Sequence, residues 1–336
     1  TDIFLANTLG PIAEKILGKS GVGLVQTALG ESAYEKGEDR FRVLAYLTRG
    51  LNQSENNGIA EMTWVATALQ SKLALCAGDM EYAQRLTSGM LQSLDPEHQP
   101  QLYKGVTAFS CWLSLYSNEM GRIRRWLETA PDETVEFCTL NRYFYMVKIY
   151  CYAALGKHTD ALMLISRMMV YADYAQRTYI RLECGLLRAI VMRRTGSDWK
   201  EDFLQVLSAI SQYRFVPIIS EKGAAILPLL TEAKAAFCQR CPAAAAWFNQ
   251  VLDRTMHMAR LYPNYLKGTG IDVSAFSDTA LEVLRLQAAG YTTREIAQQL
   301  HITQRTVKYH ASENYRKLDA RNLVDAVQIA QSLHIL

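Results

Sequence analysis

Short polar breaks recur at near-equal intervals through much of this 336-residue chain, and their period constrains the fold more than any other feature. Each break begins with glycine or asparagine, which tolerate the left-handed conformation that ends many helices. The five breaks begin at Gly37, Gly78, Asn118, Gly156 and Gly196. Apolar residues at helical spacing precede and follow each break. The period therefore predicts stacked helix–turn–helix pairs of about 40 residues.

We accordingly predict an all-α protein with a TPR-like helical-repeat solenoid over residues 1–262, followed by a small C-terminal domain over residues 276–336. Segment 222–262 is expected to hold one more helix pair or a capping helix, although "CPAAAAW" interrupts the period. Residues 263–275 contain one proline and two glycines and have no helical period, so they are predicted to form a linker. The alternative is an irregular helical bundle whose glycines are evenly spaced by coincidence.

The composition is typical of an ordinary globular protein with a continuous core, since 49% of the residues are hydrophobic and 21% are charged. No apolar stretch approaches the roughly 18 to 20 residues that cross a bilayer. The start of the chain lacks the basic residues and the apolar run of a secretory signal. We therefore expect a cytoplasmic protein that has no membrane partner.

The sequence carries no motif that demands a cofactor, a metal or catalysis. Its seven cysteines are an odd number scattered through helical sequence, which favours reduced thiols. Cys238 and Cys241 have metal-ligand spacing, but no second pair follows. The stretch "LGKSG" at residues 17–21 resembles the end of a phosphate-binding loop, but Ala13 stands where that loop needs glycine. We expect a helix-ending turn there, and we predict no enzyme, no cofactor and no metal site.

Near the C-terminus, "TTREIAQQLHITQRTVKYH" has the spacing of two short helices joined by a tight turn. Thr292 and Glu295 match a capping box, in which each side chain satisfies a backbone N–H at a helix start. Apolar residues then repeat at helical spacing until "HIT" breaks the pattern, and Thr303 offers an N-cap for a second helix. This is the spacing of a helix-turn-helix motif.

The second helix is expected to have an apolar face that packs on the first helix and a polar face that is free for the major groove of DNA. Val307, Ala311 and Leu318 share the apolar face. Segment 303–317 carries a net charge of +3, equal to the excess of the whole chain. Lys308, Tyr309 and Ser312 suit base edges, whereas threonines and Arg305 suit phosphates. The predicted DNA-binding residues are Thr293, Thr303, Gln304, Arg305, Thr306, Lys308, Tyr309, Ser312 and Arg316.

From residue 276 to residue 336 the chain resembles the LuxR-type DNA-binding domain without a gap. The positions that match the family pattern are Glu282, Val283, Leu284, Gly290, Glu295, Ile296, Ala297, Leu300, Thr306, Val307, Lys308, His310, Arg316, Lys317, Leu318, Asn322, Ala326 and Val327. The chain departs from the pattern at Ala280, Asn314, Asp319 and Leu323, where the family usually carries glutamate, an apolar residue, glycine and arginine. Glu313 also places a negative charge on the second helix, which would oppose phosphate.

A repeat region joined to such a domain resembles the large ATP-binding LuxR regulators typified by the maltose regulator of enteric bacteria. In that family a nucleotide-binding module precedes the repeats, and the repeats bind the inducer. This chain shows no such module and starts without methionine, so we expect either a fragment or a shorter regulator.

The repeats are predicted to sense a small-molecule or peptide effector through two polar columns on their first helices, because equivalent positions stand side by side in a solenoid. One column holds Gln70, Ser110, Lys148 and Arg188, and the other holds Thr63, Tyr103, Asn141 and Arg181. An arginine cluster at one end favours an anionic effector or an acidic peptide. The predicted effector-binding residues are Tyr103, Asn141, Lys148, Arg177, Arg181 and Arg188. The alternative is a merely solvated polar face.

Together these patterns predict a transcription regulator that binds double-stranded operator DNA, as a possible homodimer, under the control of an effector. Two alternatives belong to other classes. One is a repeat scaffold for protein partners whose C-terminal helical module is degenerate. The other is a nucleotide hydrolase that uses Lys19 of "LGKSG".

Overall fold

The computed structural model describes residues 2–133, 137–267, 276–318, 320, 322–332 and 336. Within these residues the regular structure consists of eighteen α-helices and a few short 3-10 turns, with no strand. The predicted all-α fold class is confirmed.

Six helical hairpins follow the first helix of the described chain, α1 (Asp2–Leu17). They are α2 (Leu24–Glu35) with α3 (Arg40–Asn57), α4 (Ala60–Cys76) with α5 (Met80–Ser93), α6 (Pro100–Ser114) with α7 (Met120–Thr129), α8 (Arg142–Ala154) with α9 (His158–Tyr174), α10 (Thr178–Arg194) with α11 (Lys200–Tyr213), and α13 (Gly223–Arg240) with α14 (Ala245–Leu261). The short helix α12 (Pro217–Ser220) lies between the last two hairpins. The C-terminal helices are α15 (Asp278–Ala288), α16 (Thr293–Gln299), α17 (Gln304–Leu318) and α18 (Leu323–Ser332).

The five predicted breaks are the turns inside the first five hairpins, and all five break residues have positive φ. The φ angles of Gly37, Gly78, Asn118, Gly156 and Gly196 are 63°, 82°, 59°, 73° and 72°. The left-handed conformation reverses the chain after the first helix of each pair, which is why glycine or asparagine stands there. The pair α13 and α14 supplies the additional hairpin that was expected over residues 222–262.

The first helices of successive hairpins contact one another along the whole repeat region, from α2 through α4, α6, α8 and α10 to α13. One hydrophobic core runs from α4 to α13, and a smaller cluster joins α2 and α3 to α4. Each hairpin is too small to bury its apolar face alone, so stacking on its neighbours supplies the core.

The superhelix also closes on itself, because its last elements return to its first hairpins. Helix α12 contacts α2, although four hairpins separate them along the chain. Arg254 of α14 donates from Nη2 to the carbonyl oxygen of Gly37 at 2.6 Å. Just after α14, the Tyr262 hydroxyl donates to the carbonyl oxygen of Leu75 at 2.8 Å. A repeat period predicts contacts between neighbouring units only, so it could not have indicated this closure.

The beginning of the predicted linker packs into the repeat core. Tyr265 and Leu266 are 1% and 0% exposed. The Tyr265 ring stacks on that of Tyr116, with 4.0 Å between the centroids. These two side chains are apolar anchors in a segment predicted to have few, and the packing of the repeat core continues to Leu266. Residues 268–275 of the predicted linker lie outside the described residues.

The short motifs that the sequence singled out form ordinary local structure. Leu17 ends α1, and Gly18–Gly21 form a 3-10 turn, so the helix-ending turn predicted for "LGKSG" is confirmed. Cys238 and Cys241 are free thiols. Among the described residues, no group of three or more His, Cys, Asp or Glu side chains could hold a metal ion. No helix in the described part of the chain is both long and apolar enough to span a bilayer.

The closure can be tested by a pair of glycine substitutions. A Cβ at Gly37 would lie 3.1 Å from Val216 Cβ and 3.2 Å from Arg254 Nη1, whereas a Cβ at Gly196 would meet nothing within 4 Å. Both residues have positive φ, so Gly196→Ala should cost only the left-handed strain of about 1 to 2 kcal/mol. Gly37→Ala should lower the free energy of unfolding by more, because it also disturbs the closing contacts. Urea denaturation of both variants measures the difference, and equal losses would contradict a stabilising closure.

Candidate DNA-binding surface and effector cavity

The helix-turn-helix segment begins with the predicted capping box. The Thr292 backbone N–H donates to Glu295 Oε2 at 2.8 Å, and the Glu295 N–H donates to Thr292 Oγ1 at 3.4 Å. The second helix has its own cap, since the Thr306 N–H donates to Thr303 Oγ1 at 3.1 Å. His301 takes a φ of 53° in the turn between the two helices. Local side-chain bonds therefore set where α16 and α17 begin, as the sequence predicts.

Two small apolar cores hold α15, α16, α17 and α18 together. Val307 of α17 packs with Ile296 and Ala297 of α16 and with apolar residues of α15. Leu318 was predicted to pack on α16 as well, but it lies in the second core with α15 and α18. The reason is length. Leu318 stands eleven residues after Val307, about 16 Å along the helix, and α16 has only seven residues.

Two of the departures from the family pattern contact each other. Asn314 is fully buried, and its Nδ2 donates to the carbonyl oxygen of Ala280 at 2.7 Å. A buried amide needs such a partner. This bond ties α17 to the first turn of α15.

The predicted polar face of α17 lies on the surface. Arg305, Lys308, Tyr309, Ser312 and Arg316 are all exposed. The other predicted DNA-binding residues lie at the starts of the two helices, where Thr303 and Gln304 are exposed and Thr293 and Thr306 are half-buried. All nine side chains are thus placed where a duplex could reach them, and their role stays a prediction.

Glu313 does not stand alone on this helix, because it pairs with Arg316. Arg316 donates from Nε and Nη2 to the two Glu313 carboxylate oxygens at 3.1 and 2.8 Å. The guanidinium group lowers the pKa of the Glu313 carboxyl. The pair is exposed, and it offsets much of the charge that Arg316 would otherwise present to a phosphate.

The predicted effector-binding residues do not come together at one groove. Lys148 is only 5% exposed, and its ammonium forms an internal ion pair with Glu133. Arg181 pairs with Asp173 at 2.5 Å, and Arg188 lies 3.5 Å from Asp202. Tyr103 packs beside a small apolar cluster, Asn141 is half-buried, and Arg177 is exposed. The partners of Lys148, Arg181 and Arg188 already compensate their charges.

The structure instead forms a half-open cavity of about 710 Å³ on the inner side of the first helices. Lining residues come from α2, α4, α6, α8 and α10 and from the segment around α12. They are Ala28, Glu31, Ser32, Glu35, Trp64, Val65, Ala68, Leu69, Lys72, Phe109, Trp112, Arg142, Tyr143, Met146, Val147, Tyr150, Tyr179, Ile180, Glu183, Phe215 and Glu221. None of the six predicted effector residues is among them. A concave cavity of this size, with a third of its lining residues aromatic, is typical of a small-molecule site.

The sequence does carry a signal for this cavity, at a different offset from the breaks. Six residues before the first four breaks stand Glu31, Lys72, Trp112 and Tyr150, and all four line the cavity. The predicted column that begins with Gln70 stands two residues earlier on each helix. A shift of two residues turns a helical position by about 200°, so that column lies on the opposite face of the same helices.

Some charged groups in the cavity wall have ion-pair or hydrogen-bond partners for all their polar atoms, and one buried carboxylate oxygen has none. Lys72 Nζ lies 3.2 Å from Glu221 Oε2, and the Tyr150 hydroxyl donates to Glu183 at 2.5 Å. Glu35 Oε1 accepts a hydrogen bond from the Tyr179 hydroxyl at 3.1 Å, but its Oε2 is buried and has no partner. Burial disfavours the charged carboxylate and raises the pKa of Glu35 to about 7.

Comparisons with known proteins identify the C-terminal segment. Residues 274–330 match the family model described as bacterial regulatory proteins, luxR family. An uncharacterized transcriptional regulatory protein of Bacillus subtilis (strain 168), YvfU, is 44% identical over 50 residues, which are 15% of this chain. The chain spans a quarter of that relative's length, 25%. No solved structure matches the chain. The predicted LuxR-type domain is confirmed, whereas the resemblance of the repeats to the maltose-regulator family is not.

The Glu35 carboxyl, whose Oε2 has no partner, should make the free energy of unfolding depend on pH in a definite direction. The folded protein holds a proton on Glu35 up to about pH 7, whereas an unperturbed glutamate releases it near 4.5. The folded state therefore binds more protons between these values, and the free energy of unfolding falls as pH rises through this window. Glu35→Gln should remove this loss and be more stable than the parent at pH 8. Thermal unfolding of both proteins from pH 5 to 8 checks this prediction. A difference in melting temperature that stays constant over this range would contradict it.

The Glu313–Arg316 pair should restrain binding to DNA. Glu313→Gln frees the guanidinium, so affinity for random duplex DNA should rise and the salt slope should steepen by up to about 0.9. Glu282→Gln is the matched control, since Glu282 pairs with Arg285 at 3.3 Å within α15 rather than on α17. Titrations at several salt concentrations measure both. An equal effect of the two substitutions would assign the change to net charge alone.

Proposed function

We propose that this chain, whose residues 274–330 form a domain of the luxR family of bacterial regulatory proteins, is a sequence-specific DNA-binding transcription regulator. One observation carries the proposal. The polar face of α17 is exposed along its length and holds two arginines and a lysine, while its apolar face is used by the core of the domain. A helix of this kind fits the major groove, about 12 Å wide.

The roles of the side chains follow from their positions. Lys308, Tyr309 and Ser312 occupy the outward face of α17, where they would meet base edges. Arg305 and the capping threonines at the start of α17 would meet phosphate, because unpaired N–H groups at a helix start add partial positive charge. We further propose that the protein binds operator DNA as a homodimer, since regulators with this motif commonly read two half-sites.

We also propose that the repeat region is a sensor domain that ends near residue 267. Support comes from the packing, because the repeat core and the two cores of the C-terminal domain are separate clusters. The half-open cavity of about 710 Å³ gives a small molecule a place to bind. Residues of the first five hairpins line that cavity, so an effector that bridges several of them would favour one arrangement of the repeats over others.

The DNA-binding proposal is tested with two alanine substitutions on α17. Operator-like sequences are first selected from a random duplex pool with the full chain. Lys308→Ala should weaken binding to the selected sequence by roughly 1 to 3 kcal/mol and relax base preference, since a bidentate base contact would be lost. Arg305→Ala should weaken selected and random DNA about equally and reduce the salt slope. Equal losses on both DNAs for Lys308→Ala would move Lys308 to the phosphate-contacting class, and failure to select any sequence would overturn the proposal.

A further inference from the structure

A third of the residues that line the cavity are aromatic. They come from four of the first helices and from the segment before α12, and they are Trp64, Phe109, Trp112, Tyr143, Tyr150, Tyr179 and Phe215. Ring faces carry negative partial charge, so they bind flat apolar groups by contact and cations by attraction. Lys72 already uses one of these faces, since its Nζ lies 5.2 Å from the Trp112 ring centroid.

The charge of the wall is acidic on balance. Four carboxylates line the cavity, against two basic groups, Lys72 and Arg142. Lys72 forms an ion pair with Glu221. Glu183 accepts the Tyr150 hydrogen bond and lies 3.7 Å from Lys222 Nζ. Glu31 and Glu35 have no cation within ion-pair distance in the described part of the chain.

We propose, on the basis of the sensor role proposed above, that the cavity binds an organic cation: a primary ammonium group attached to an aromatic or similarly flat apolar body. The ammonium donates a charge-assisted hydrogen bond to Glu35, whose Oε2 has no partner. The body contacts the aromatic wall. Size agrees, because about 710 Å³ is within the range of small-molecule sites.

This assignment replaces the anionic effector that the arginine cluster suggested. Arg181 and Arg188 line a separate depression of about 180 Å³ between α10 and α11. It has its own acid, Asp202, and both Arg181 and Arg188 are already paired with aspartates. In the larger cavity, an anion would face four carboxylates and would find Lys72 engaged. Like charges at such distances oppose binding.

Protons compete with the proposed ligand for Glu35. The groups that face this carboxyl are Lys72 on α4, Tyr179 on α10, Glu221 after α12 and Glu31 on its own helix. With a pKa of about 7, Glu35 is largely protonated below that value and then carries no charge for an ammonium. Alkylammonium groups stay protonated well above this range. Affinity should therefore fall as the pH drops from 8 to 6.

Three probes of one shape and different charge test the proposal on the full chain. They are 2-phenylethylamine, 2-phenylethanol and 3-phenylpropionate, titrated by calorimetry at pH 8 and followed by tryptophan fluorescence. The amine should bind at least about tenfold more tightly than the alcohol, because only the amine gains a charge-assisted bond. The carboxylate should bind more weakly still. Binding of the carboxylate as tightly as the amine, or binding of none of the three, overturns the proposal.

Two variants and a control assign the site. Glu35→Gln should lower the affinity for the amine by about 10- to 100-fold and leave the affinity for the alcohol unchanged. It should also abolish the pH dependence of amine binding. Ala28→Phe adds a ring from an exposed position in the cavity wall and should reduce binding of the amine and the alcohol alike. Glu81→Gln, at an 84% exposed side chain on α5, should change nothing. Unchanged amine binding in both Glu35→Gln and Ala28→Phe would overturn the proposal.

DNA-binding and amine-binding measurements on the parent chain distinguish a failure of this proposal from a failure of the proposed function. If the amine binds as expected but leaves the affinity for the selected DNA unchanged, the cavity assignment stands and the sensor role is wrong. If the parent shows no sequence preference on DNA, the regulator proposal fails while the probe titrations still decide the cavity.

Discussion

The buried carboxylate of Glu221 is the interaction on which the shape of the repeat region depends. It lies just after α12 and accepts hydrogen bonds from the Tyr34 hydroxyl and from Lys72 Nζ, while its backbone carbonyl accepts one from Tyr116 at 3.0 Å. These three partners belong to the first, second and third hairpins. A buried charge without partners costs several kcal/mol, so the segment can enter the interior only where such donors converge.

Closure of the superhelix adds a wall to the inner groove of the first helices and makes it a half-open cavity. Phe215 and Glu221 come from the segment that crosses the interior, and they form part of the same wall as the first helices. The arrangement also explains why the wall holds so many hydroxyl and charged groups at low exposure. Tyr150 and Tyr179 of the wall, and Tyr34 next to the wall residue Glu221, have raised pKa values, mainly because burial disfavours their charged forms. They therefore act as neutral donors to the carboxylates.

The C-terminal domain follows a simpler rule, in which one face of α17 builds the core and the other is left for a partner. One departure from the family pattern, Asn314, adjusts the first face, and the acidic residue Glu313 adjusts the second. Asn314 replaces an apolar contact with a hydrogen bond to α15, and Glu313 offsets the charge of Arg316. The first change affects how firmly the recognition helix is held. In the proposed DNA complex, the second would lower the general attraction of α17 to phosphate and so favour base contacts over binding through charge alone.

By itself the sequence determined the features that rest on neighbours along the chain. The left-handed turns, the capping box at Thr292 and the exposed face of α17 each depend on residues within one or two helical turns, so residue type and spacing were enough to predict them. The cavity wall could have been read from the same period, but only with the correct offset, since two residues move a side chain to the opposite face of a helix. Only the tertiary structure decided the closure and the pairing of charges. Glu35 meets Tyr179 across 144 residues and Lys72 meets Glu221 across 149, and no local pattern specifies such partners. They are selected because a polar or charged group in the interior is tolerated only beside a hydrogen-bond or ion-pair partner, and that condition is set by the packing of the whole chain.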